Sequence, residues 1–205
     1  MGRNTKIKIC GLTKPDEATY LNEEKVDYAG MVLFFEKSKR NVTIKQAEQI
    51  MKKLDKRIKR VAVVVKPSLD QVKEIEQAGF DLIQIHGEVR QEILEETTIP
   101  IWKAFNVSDM QDFETYQSME RVKGYVFDAA KPGSGETFDW KLMDRIPRDH
   151  KLLMLAGGLN QENVAEAIRY LHPDGVDVSS SVECTDRQEK NQTKVKDFVK
   201  AVRTV

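Results

Sequence analysis

Residues 152–183, LLMLAGGLNQENVAEAIRYLHPDGVDVSSSVE, decide the fold class. Two short apolar runs, at 152–156 and 176–179, enclose a segment at 161–171 whose apolar residues have the spacing of a helix. A strand, a helix and a second strand in this order form the βαβ unit of a parallel sheet. The first run ends in a pair of glycines and the second in three serines. This unit predicts a parallel sheet with small and polar residues at the carboxyl ends of its strands.

The same alternation continues along the whole chain, at a repeat of about 25 residues, close to the smallest size of a βα unit. The predicted strands are 6–10, 28–35, 60–65, 81–86, 101–105, 124–128, 152–156 and 176–179. The predicted helices are 15–25, 44–54, 69–78, 89–95, 109–118, 140–146, 161–171 and 193–202. Eight strand–helix pairs predict an α/β protein, a (β/α)₈ TIM barrel that forms one compact domain over residues 1–205. A doubly wound open sheet is the alternative, but the first turn, Cys10-Gly11-Leu12-Thr13, is not the GxGxxG motif expected there.

Composition excludes several classes of function. Lys plus Arg and Asp plus Glu are both 33, so net charge gives no argument for a nucleic acid or a membrane as partner. The two cysteines, Cys10 and Cys184, are too few for a disulfide framework. With no CxxC pair, Cys/His cluster or signal-like segment in the sequence, we expect a cytoplasmic protein without a metal. We expect a monomer, with a homodimer as the alternative.

In a barrel, reactive groups lie at the carboxyl ends of the strands and in the loops that follow them. The candidates by this rule are Cys10, Lys37 to Arg40, His86, Lys103, Asp128, Gly157, Gly158 and Ser179 to Glu183. Barrels often bind phosphate in the loops after strands seven and eight, where glycines and serines stand here. Glycines let backbone N–H groups approach an anion closely, so these loops predict a phosphate site.

Position alone leaves the other candidates open. Cys10 is either a small buried apolar residue or a thiol base with a pKa lowered toward neutrality. Asp128 follows apolar residues, and burial there would keep it protonated as a general acid. Arg40 either holds a carboxylate by two hydrogen bonds or belongs to a solvated basic loop. His86 either contacts a ligand or ends a strand without one.

Taken together, the motifs resemble those of the phosphoribosylanthranilate isomerase family, in order from the first strand to the eighth. The matching stretches are Lys8-Ile9-Cys10-Gly11-Leu12-Thr13, Tyr28-Ala29-Gly30 with Ser38-Lys39-Arg40, Gln84-Ile85-His86-Gly87, Gly133-Ser134-Gly135 with Phe138-Asp139-Trp140, Leu155-Ala156-Gly157-Gly158-Leu159-Asn160 with Asn163-Val164, and Val176-Asp177-Val178-Ser179-Ser180 with Val182-Glu183. Any one match could be chance, whereas the ordered set is specific.

The resemblance implies an isomerase of tryptophan biosynthesis that performs an Amadori rearrangement of N-(5′-phosphoribosyl)anthranilate. Asp128 would be the general acid and Cys10 the general base. Arg40 would bind the anthranilate carboxylate, and no cofactor would be needed, since the iminium intermediate is the electron sink. The implied substrate-binding residues are Arg40, His86, Gly135, Gly157, Gly158, Ser180 and Ser181.

The chain departs from the family pattern at two points. Ser181 stands where the family has Gly, so it either strains the backbone, if that position needs a positive φ, or adds a hydroxyl to the phosphate site. Residues 186–191 replace a Gly-Lys-Lys-Asp run, which bears on how the loop is ordered. Other phosphosugar isomerase or epimerase barrels and a non-catalytic phosphosugar-binding barrel are the rival interpretations. Cys10 together with Asp128 argues against the other enzymes, and the retention of Cys10, Asp128 and Arg40 argues against the non-catalytic barrel.

Overall fold

The computed structural model describes residues 5–106, 110, 112–128, 140–146, 148–187 and 189–205. Eight strands are described: β1 Lys6–Cys10, β2 Tyr28–Val32, β3 Lys59–Val65, β4 Leu82–His86, β5 Ile101–Asn106, β6 Val122–Asp128, β7 Leu152–Leu155 and β8 Gly175–Val178. The described α-helices are α1 Glu17–Glu23, α2 Ile44–Lys53, α3 Leu69–Gln77, α4 Gln91–Glu96, α5 Phe113–Gln117, α6 Val164–Leu171 and α7 Gln192–Arg203. Two 3₁₀ turns occupy Trp140–Arg145 and Ser180–Val182.

The strands form one closed barrel in sequence order, every pair parallel, with β1 also paired to β8. The predicted (β/α)₈ barrel is therefore confirmed. Strand alternation sends one set of side chains inward, including Val61, Leu82 and Met154, which form the interior cluster. The other set packs outward against the helices, as Ile9 and Met31 do. The barrel thus has a filled interior and a second, larger core around it.

Local chemistry explains where the helices begin. Thr43 before α2 and Ser68 before α3 each accept the backbone N–H three residues on. In turn, the side-chain oxygens of Gln46 and Gln71 accept the backbone N–H groups of those capping residues, which completes two capping boxes. These caps fix the entry of each helix after its strand.

Three aspartates tie the amino ends of the strands together. Asp27, Asp81 and Asp174 directly precede β2, β4 and β8, and each accepts a backbone N–H from a neighbouring strand at 2.8–2.9 Å. These bonds lie at the end of the barrel opposite the candidate site, where stability rather than chemistry is expected.

The expected bounds need correction at several elements. Strand two ends at Val32 rather than at residue 35, because Phe34 has a φ of +56° that an extended strand does not tolerate. The segment after residue 139 is a 3₁₀ turn instead of an α-helix. The sixth α-helix begins at Val164 instead of residue 161, since Asn160 and Asn163 form side-chain turns before it. The fifth α-helix is described only over Phe113–Gln117.

Candidate active site

The barrel brings most predicted site residues to one cavity at the carboxyl ends of the strands. Cys10, His86 and Asp128 end β1, β4 and β6. In the closed strand order β1 and β6 are three positions apart, so the thiol and the carboxyl come from facing parts of the wall. The described lining comprises Cys10, Val32, Phe35, Ser38, Arg40, Val63, Val65, Gln84, His86, Asp128, Ala156, Gly157, Gly158, Leu159, Asp177, Val178, Ser179 and Ser180. Gly135 lies outside the described residues.

The loop after β7 is built around two glycines in the left-handed region. Gly157 has a φ of +83° and Gly158 of +64°, conformations that other residues rarely adopt. Asn163 holds the loop by donating from Nδ2 to the Gly158 carbonyl at 3.0 Å. Its Oδ1 also accepts the Asn160 N–H at 2.8 Å. The asparagines therefore fix the glycine turn against the start of α6.

The loop after β8 adds further backbone donors. Ser180 lines the cavity and opens a short 3₁₀ turn. Four backbone N–H groups in the two loops donate no hydrogen bond to another described residue: those of Gly157, Gly158, Ser180 and Ser181. Such N–H groups at the mouth of a cavity suit an anion with several acceptor oxygens.

Ser181 connects the two loops, and its backbone is not strained. Its φ is not positive, so a serine at this position involves no left-handed strain. Its hydroxyl donates to the Leu159 carbonyl at 2.6 Å instead of facing the cavity. The side chain therefore connects the loop after β8 to the loop after β7, and a contact of its hydroxyl with the phosphate stays a prediction.

Arg40 is a buried member of an ion-pair network rather than part of a solvated basic loop. Its Nε and Nη2 donate to the two carboxylate oxygens of Glu183, the latter at 3.1 Å. Gly11 makes room for it, since a Cβ there would lie 2.5 Å from Arg40 Cδ. Lys190 is also buried and donates from Nζ to Glu183 Oε1 at 3.1 Å. Burial acts to raise the pKa of Glu183, but Arg40 and Lys190 hold it below its ordinary value.

Cys10 lies above a buried ion pair. Two residues earlier on the same strand, Lys8 is fully buried and its Nζ donates to Asp177 Oδ2 at 2.7 Å. Burial raises the pKa of the Cys10 thiol, an effect that the positive charge of Lys8 opposes. The Cys10 carbonyl accepts the Ser179 hydroxyl at 2.9 Å, which links β1 to the end of β8.

His86 is held neutral by its surroundings. Its Nε2 lies 3.0 Å from Nε2 of Gln84, which comes from the same face of β4. Burial lowers the pKa of His86 to about 4, and the charges of Lys8 and Lys103 act in the same direction. At neutral pH the ring therefore offers one donor and one acceptor rather than a charge.

Lys103 is the candidate that the structure removes from the site. It lies inside β5, and its side chain points outward, with Nζ 4.3 Å from the Phe105 ring centroid and 5.0 Å from that of Tyr116. Its ammonium also donates to the Ala104 carbonyl at 2.6 Å. The residue fails as a candidate because strand alternation directs position 103 away from the barrel interior.

Sequence reasoning missed the polar residues one layer below the mouth. Lys8 and Gln84 stand two residues before Cys10 and His86 on β1 and β4, and Asp177 stands two residues before Ser179, which follows β8. All three therefore point into the barrel. A charged or amide residue at this position of an otherwise apolar strand was the available signal. The pairing of Lys8 with Asp177 could not be read in this way, since 169 residues separate them.

The described ranges contain neither a candidate metal site nor a candidate membrane-spanning helix. No group of three or more His, Cys, Asp or Glu side chains there could hold a metal ion. None of the described helices is long and apolar enough to cross a membrane.

Comparison with known proteins shows the family of this chain. The family model for N-(5′-phosphoribosyl)anthranilate (PRA) isomerase matches residues 7–201. The chain belongs to the PRA isomerase family. It is 37% identical over 206 residues to the PRA isomerase of Thermoanaerobacter sp. (strain X514), with 98% of each chain covered. It is 38% identical over 201 residues to that of Streptococcus gordonii, covering 97% of this chain and 98% of the relative.

Solved PRA isomerases have the same fold. The Thermotoga maritima protein, described as dimeric, superposes with a TM-score of 0.83 at 33% identity, covering 98% of this chain and 100% of the other. A PRA isomerase solved with reduced 1-(o-carboxyphenylamino)-1-deoxyribulose 5-phosphate has a TM-score of 0.83 at 31% identity, with the same coverage. Membership in the PRA isomerase family makes this chain an isomerase, as the sequence motifs predicted.

Proposed function

We propose that this isomerase converts N-(5′-phosphoribosyl)anthranilate into 1-(o-carboxyphenylamino)-1-deoxyribulose 5-phosphate, an Amadori rearrangement in tryptophan biosynthesis. The observation that carries the proposal is one cavity lined by Cys10, Asp128 and Arg40 beside the glycine turn after β7. An acid, a base, a cation and an anion-binding loop are the four parts that this substrate requires.

Asp128 acts as the general acid in the first step. It protonates the furanose ring oxygen, the bond from that oxygen to C1 breaks, and the nitrogen lone pair forms an iminium with C1. The carboxyl stands at the end of β6, partly covered, where it lines the cavity. A positioned acid of this kind typically accelerates its step by about 10²–10⁴-fold.

Cys10 acts as the general base in the second step. The iminium makes the C2 proton acidic, and the thiolate removes it, leaving an enol-amine between C1 and C2. Protonation at C1 and loss of the enol proton then give the ketone. Because the electrons move only within the substrate, the reaction is redox-neutral and consumes no co-reactant.

Arg40 and nearby apolar side chains form the site for the anthranilate group. Two guanidinium N–H directions of Arg40 are engaged by Glu183, and an arginine has five donors, so others remain for the anthranilate carboxylate. Val32, Phe35 and Val65 line the same side of the cavity and suit an aromatic ring.

The phosphate binds in the loops after β7 and β8, on backbone N–H groups of Gly157, Gly158, Ser180 and Ser181. The left-handed glycines and the N–H groups without described partners support this placement. Neutral His86 lines the cavity between the two ends and contacts a sugar hydroxyl. Gly135 remains a predicted phosphate contact.

The partner of this site is thus a small phosphosugar–anthranilate molecule. The monomeric state remains our prediction, although one relative is described as dimeric. We propose the cytoplasm as its compartment, in keeping with a biosynthetic role and with two free cysteines, Cys10 and Cys184.

A fluorescence assay tests the proposal. The substrate is made in situ from anthranilate and phosphoribosyl pyrophosphate with the preceding transferase, and its fluorescence is followed after addition of the protein. Wild type should consume it rapidly, while Cys10→Ala and Asp128→Asn should each lose about 10²–10⁴-fold in rate.

The matched control is Cys184→Ala, which removes the other free cysteine, outside the cavity lining. It should retain full activity. If wild type leaves the substrate unchanged, the proposal fails and other phosphosugars become the next substrates to assay.

A further inference from the structure

A buried ion pair lies below Cys10, and the proposed chemistry gives it no role. Lys8 is fully buried, and Asp177 is 7% exposed. Apolar residues of similar volume would fill this part of the barrel at least as stably, since desolvation of two charges offsets much of their attraction. The pair therefore calls for an explanation other than packing.

The geometry places the lysine side chain next to the thiol. Lys8 and Cys10 are two residues apart on β1 and face the barrel interior together. On the adjacent strand β2, a Cβ at Gly30 would lie 2.9 Å from Cys10 Sγ and 3.2 Å from Lys8 Cε. The sulfur and the end of the lysine chain thus border the same space, which the absence of a side chain at Gly30 leaves open.

Asp177 fixes the position of the ammonium group. Its Oδ2 accepts from Lys8, whereas its Oδ1 is buried and has no hydrogen-bond partner among the described residues. A buried polar oxygen without a partner lowers stability, and such oxygens call for a functional explanation. The carboxylate is therefore held by its contact with the lysine.

The charges that surround the sulfur have opposite effects on it. Burial raises the pKa of Cys10, Lys8 and Lys190 act to lower it, and Asp177 acts to raise it. Burial also acts to lower the pKa of Lys8, but Asp177 and Cys10 raise it, so the ammonium keeps its proton. Strand β2 contributes no charge beside the thiol at Gly30. The other charged or titratable groups that line the cavity are Arg40, His86 and Asp128.

We propose that Lys8 is a positioning residue that stabilises the thiolate of Cys10, and that Asp177 holds the lysine ammonium under the sulfur. Without this charge the pKa of the buried thiol would be higher still, and a smaller fraction of thiolate would be available to accept the C2 proton of the sugar. The inference rests on the proposed role of Cys10 as general base, but the thiol's ionisation is measurable without substrate.

The first experiment measures the pH dependence of iodoacetamide alkylation at Cys10 in a Cys184→Ala background, which leaves a single thiol. Lys8→Met should move the alkylation midpoint upward by about one pH unit, so that alkylation below the midpoint slows about tenfold. The control is Lys6→Met, the same substitution on the same strand at an exposed lysine paired with Asp27. It should leave the midpoint unchanged.

The second measurement is the pH profile of kcat/KM. In Lys8→Met its acidic limb should move upward by the same amount as the alkylation midpoint, which a purely structural role would not produce. An unchanged midpoint in folded Lys8→Met overturns the inference. Full activity of Cys10→Ala would instead reject the general-base role, and the alkylation result would still decide whether Lys8 controls the thiol.

A second variant guards against misfolding, because Lys8→Met leaves Asp177 buried and unpaired. The double variant Lys8→Met/Asp177→Asn removes both charges. Lys8 lowers the pKa of the thiol more than Asp177 raises it. The alkylation midpoint of the double variant should therefore still rise, but by less than in the single variant. A midpoint at or below the wild-type value in the double variant contradicts the inference.

Discussion

Two groups of residues around the cavity differ in chemistry: one offers backbone N–H groups and the other paired side-chain charges. On the glycine side, formed by Gly157, Gly158, Ser180 and Ser181, the glycines lie in the left-handed region and the backbone N–H groups have no acceptor among the described residues. The charged side reaches from the layer below the mouth to the loops after β2 and β8. It is formed by Lys8, Arg40, Asp177, Glu183 and Lys190, whose buried side-chain charges are paired with one another.

The difference follows from what each side has to do. In the proposed reaction a phosphate stays bound throughout, and fixed backbone dipoles suit an anion of constant charge. The proposed base changes its protonation during the reaction, and nearby side-chain charges are what shift a pKa. We therefore expect substitutions on the charged side to have large effects on stability and ionisation, and single side-chain changes on the glycine side to have small ones.

The largest effect on stability is expected for Glu183→Gln. The change removes the carboxylate between Arg40 and Lys190 and leaves two buried cations without it, so the free energy of unfolding should fall by about 3–5 kcal/mol. Urea denaturation measures the loss. The control is Glu189→Gln in the same loop, which weakens ion pairs with the exposed side chains of Lys14 and Arg187 and should change stability by less than about 1 kcal/mol. Equal stability of the two variants would show that the buried network contributes nothing.

The second effect is a pH dependence of stability at His86. Its pKa is lowered from 6.5 to about 4, so between these values the unfolded chain binds a proton that the folded protein does not. This contribution to the free energy of unfolding is complete above pH 6.5 and is lost as the pH falls toward 4, by about 3 kcal/mol. Urea denaturation at pH 7 and pH 4 should show a smaller pH difference in His86→Gln than in wild type. His150→Gln, at an exposed histidine, should behave like wild type.

The third effect concerns the space between β1 and β2. Gly30→Ala would place a methyl group 2.9 Å from Cys10 Sγ, so it should lower stability by about 1–3 kcal/mol. Displacement of the thiol should also reduce kcat by about 10²-fold. Gly124→Ala provides the comparison, since its methyl would lie 2.9 Å from Trp102 instead, inside the barrel but away from Cys10. It should lower stability with little change in kcat; a similar loss of kcat in both variants would contradict the account.

The smallest effect is expected on the glycine side. Ser181→Ala removes the hydroxyl that connects the two loops through the Leu159 carbonyl, so the free energy of unfolding should fall by about 1 kcal/mol. The looser loops should raise KM a few-fold without lowering kcat. Steady-state kinetics separate the two constants. Ser118→Ala, which removes an exposed hydroxyl-to-carbonyl bond elsewhere, is the control for general effects on the fold. A large fall in kcat would mean that Ser181 takes part in the chemistry.

The same contrast explains how much could be predicted from the sequence. The barrel and the glycine side depend on local patterns, namely strand–helix alternation, Gly157-Gly158 and the serines after β8. The structure has the predicted strand order, and Gly157, Gly158 and Ser180 line the cavity. The charged side depends on residues far apart in the chain, such as Arg40 and Glu183, which are 143 positions apart. Burial of a lysine or an arginine is decided by its partner, and no local pattern names that partner.

The sequence is least informative where the inward or outward direction of a side chain matters. Lys103 lies near the end of a strand and so counts as a candidate by position, yet alternation directs it to the outer core. The run of serines after β8 does not show which hydroxyl faces the cavity, and that of Ser181 donates to the Leu159 carbonyl. Both cases needed the register of the strand or turn, which composition does not give.

The most direct test of the central claim separates binding from chemistry. We would measure the affinity of Cys10→Ala for reduced 1-(o-carboxyphenylamino)-1-deoxyribulose 5-phosphate by calorimetry, beside its turnover of N-(5′-phosphoribosyl)anthranilate. The account predicts a Kd close to that of wild type and a kcat lower by about 10²-fold or more, since the thiol transfers a proton and does not hold the ligand. A Kd that rises as much as kcat falls, or a kcat that stays at the wild-type value, would contradict the assignment of Cys10 as the base.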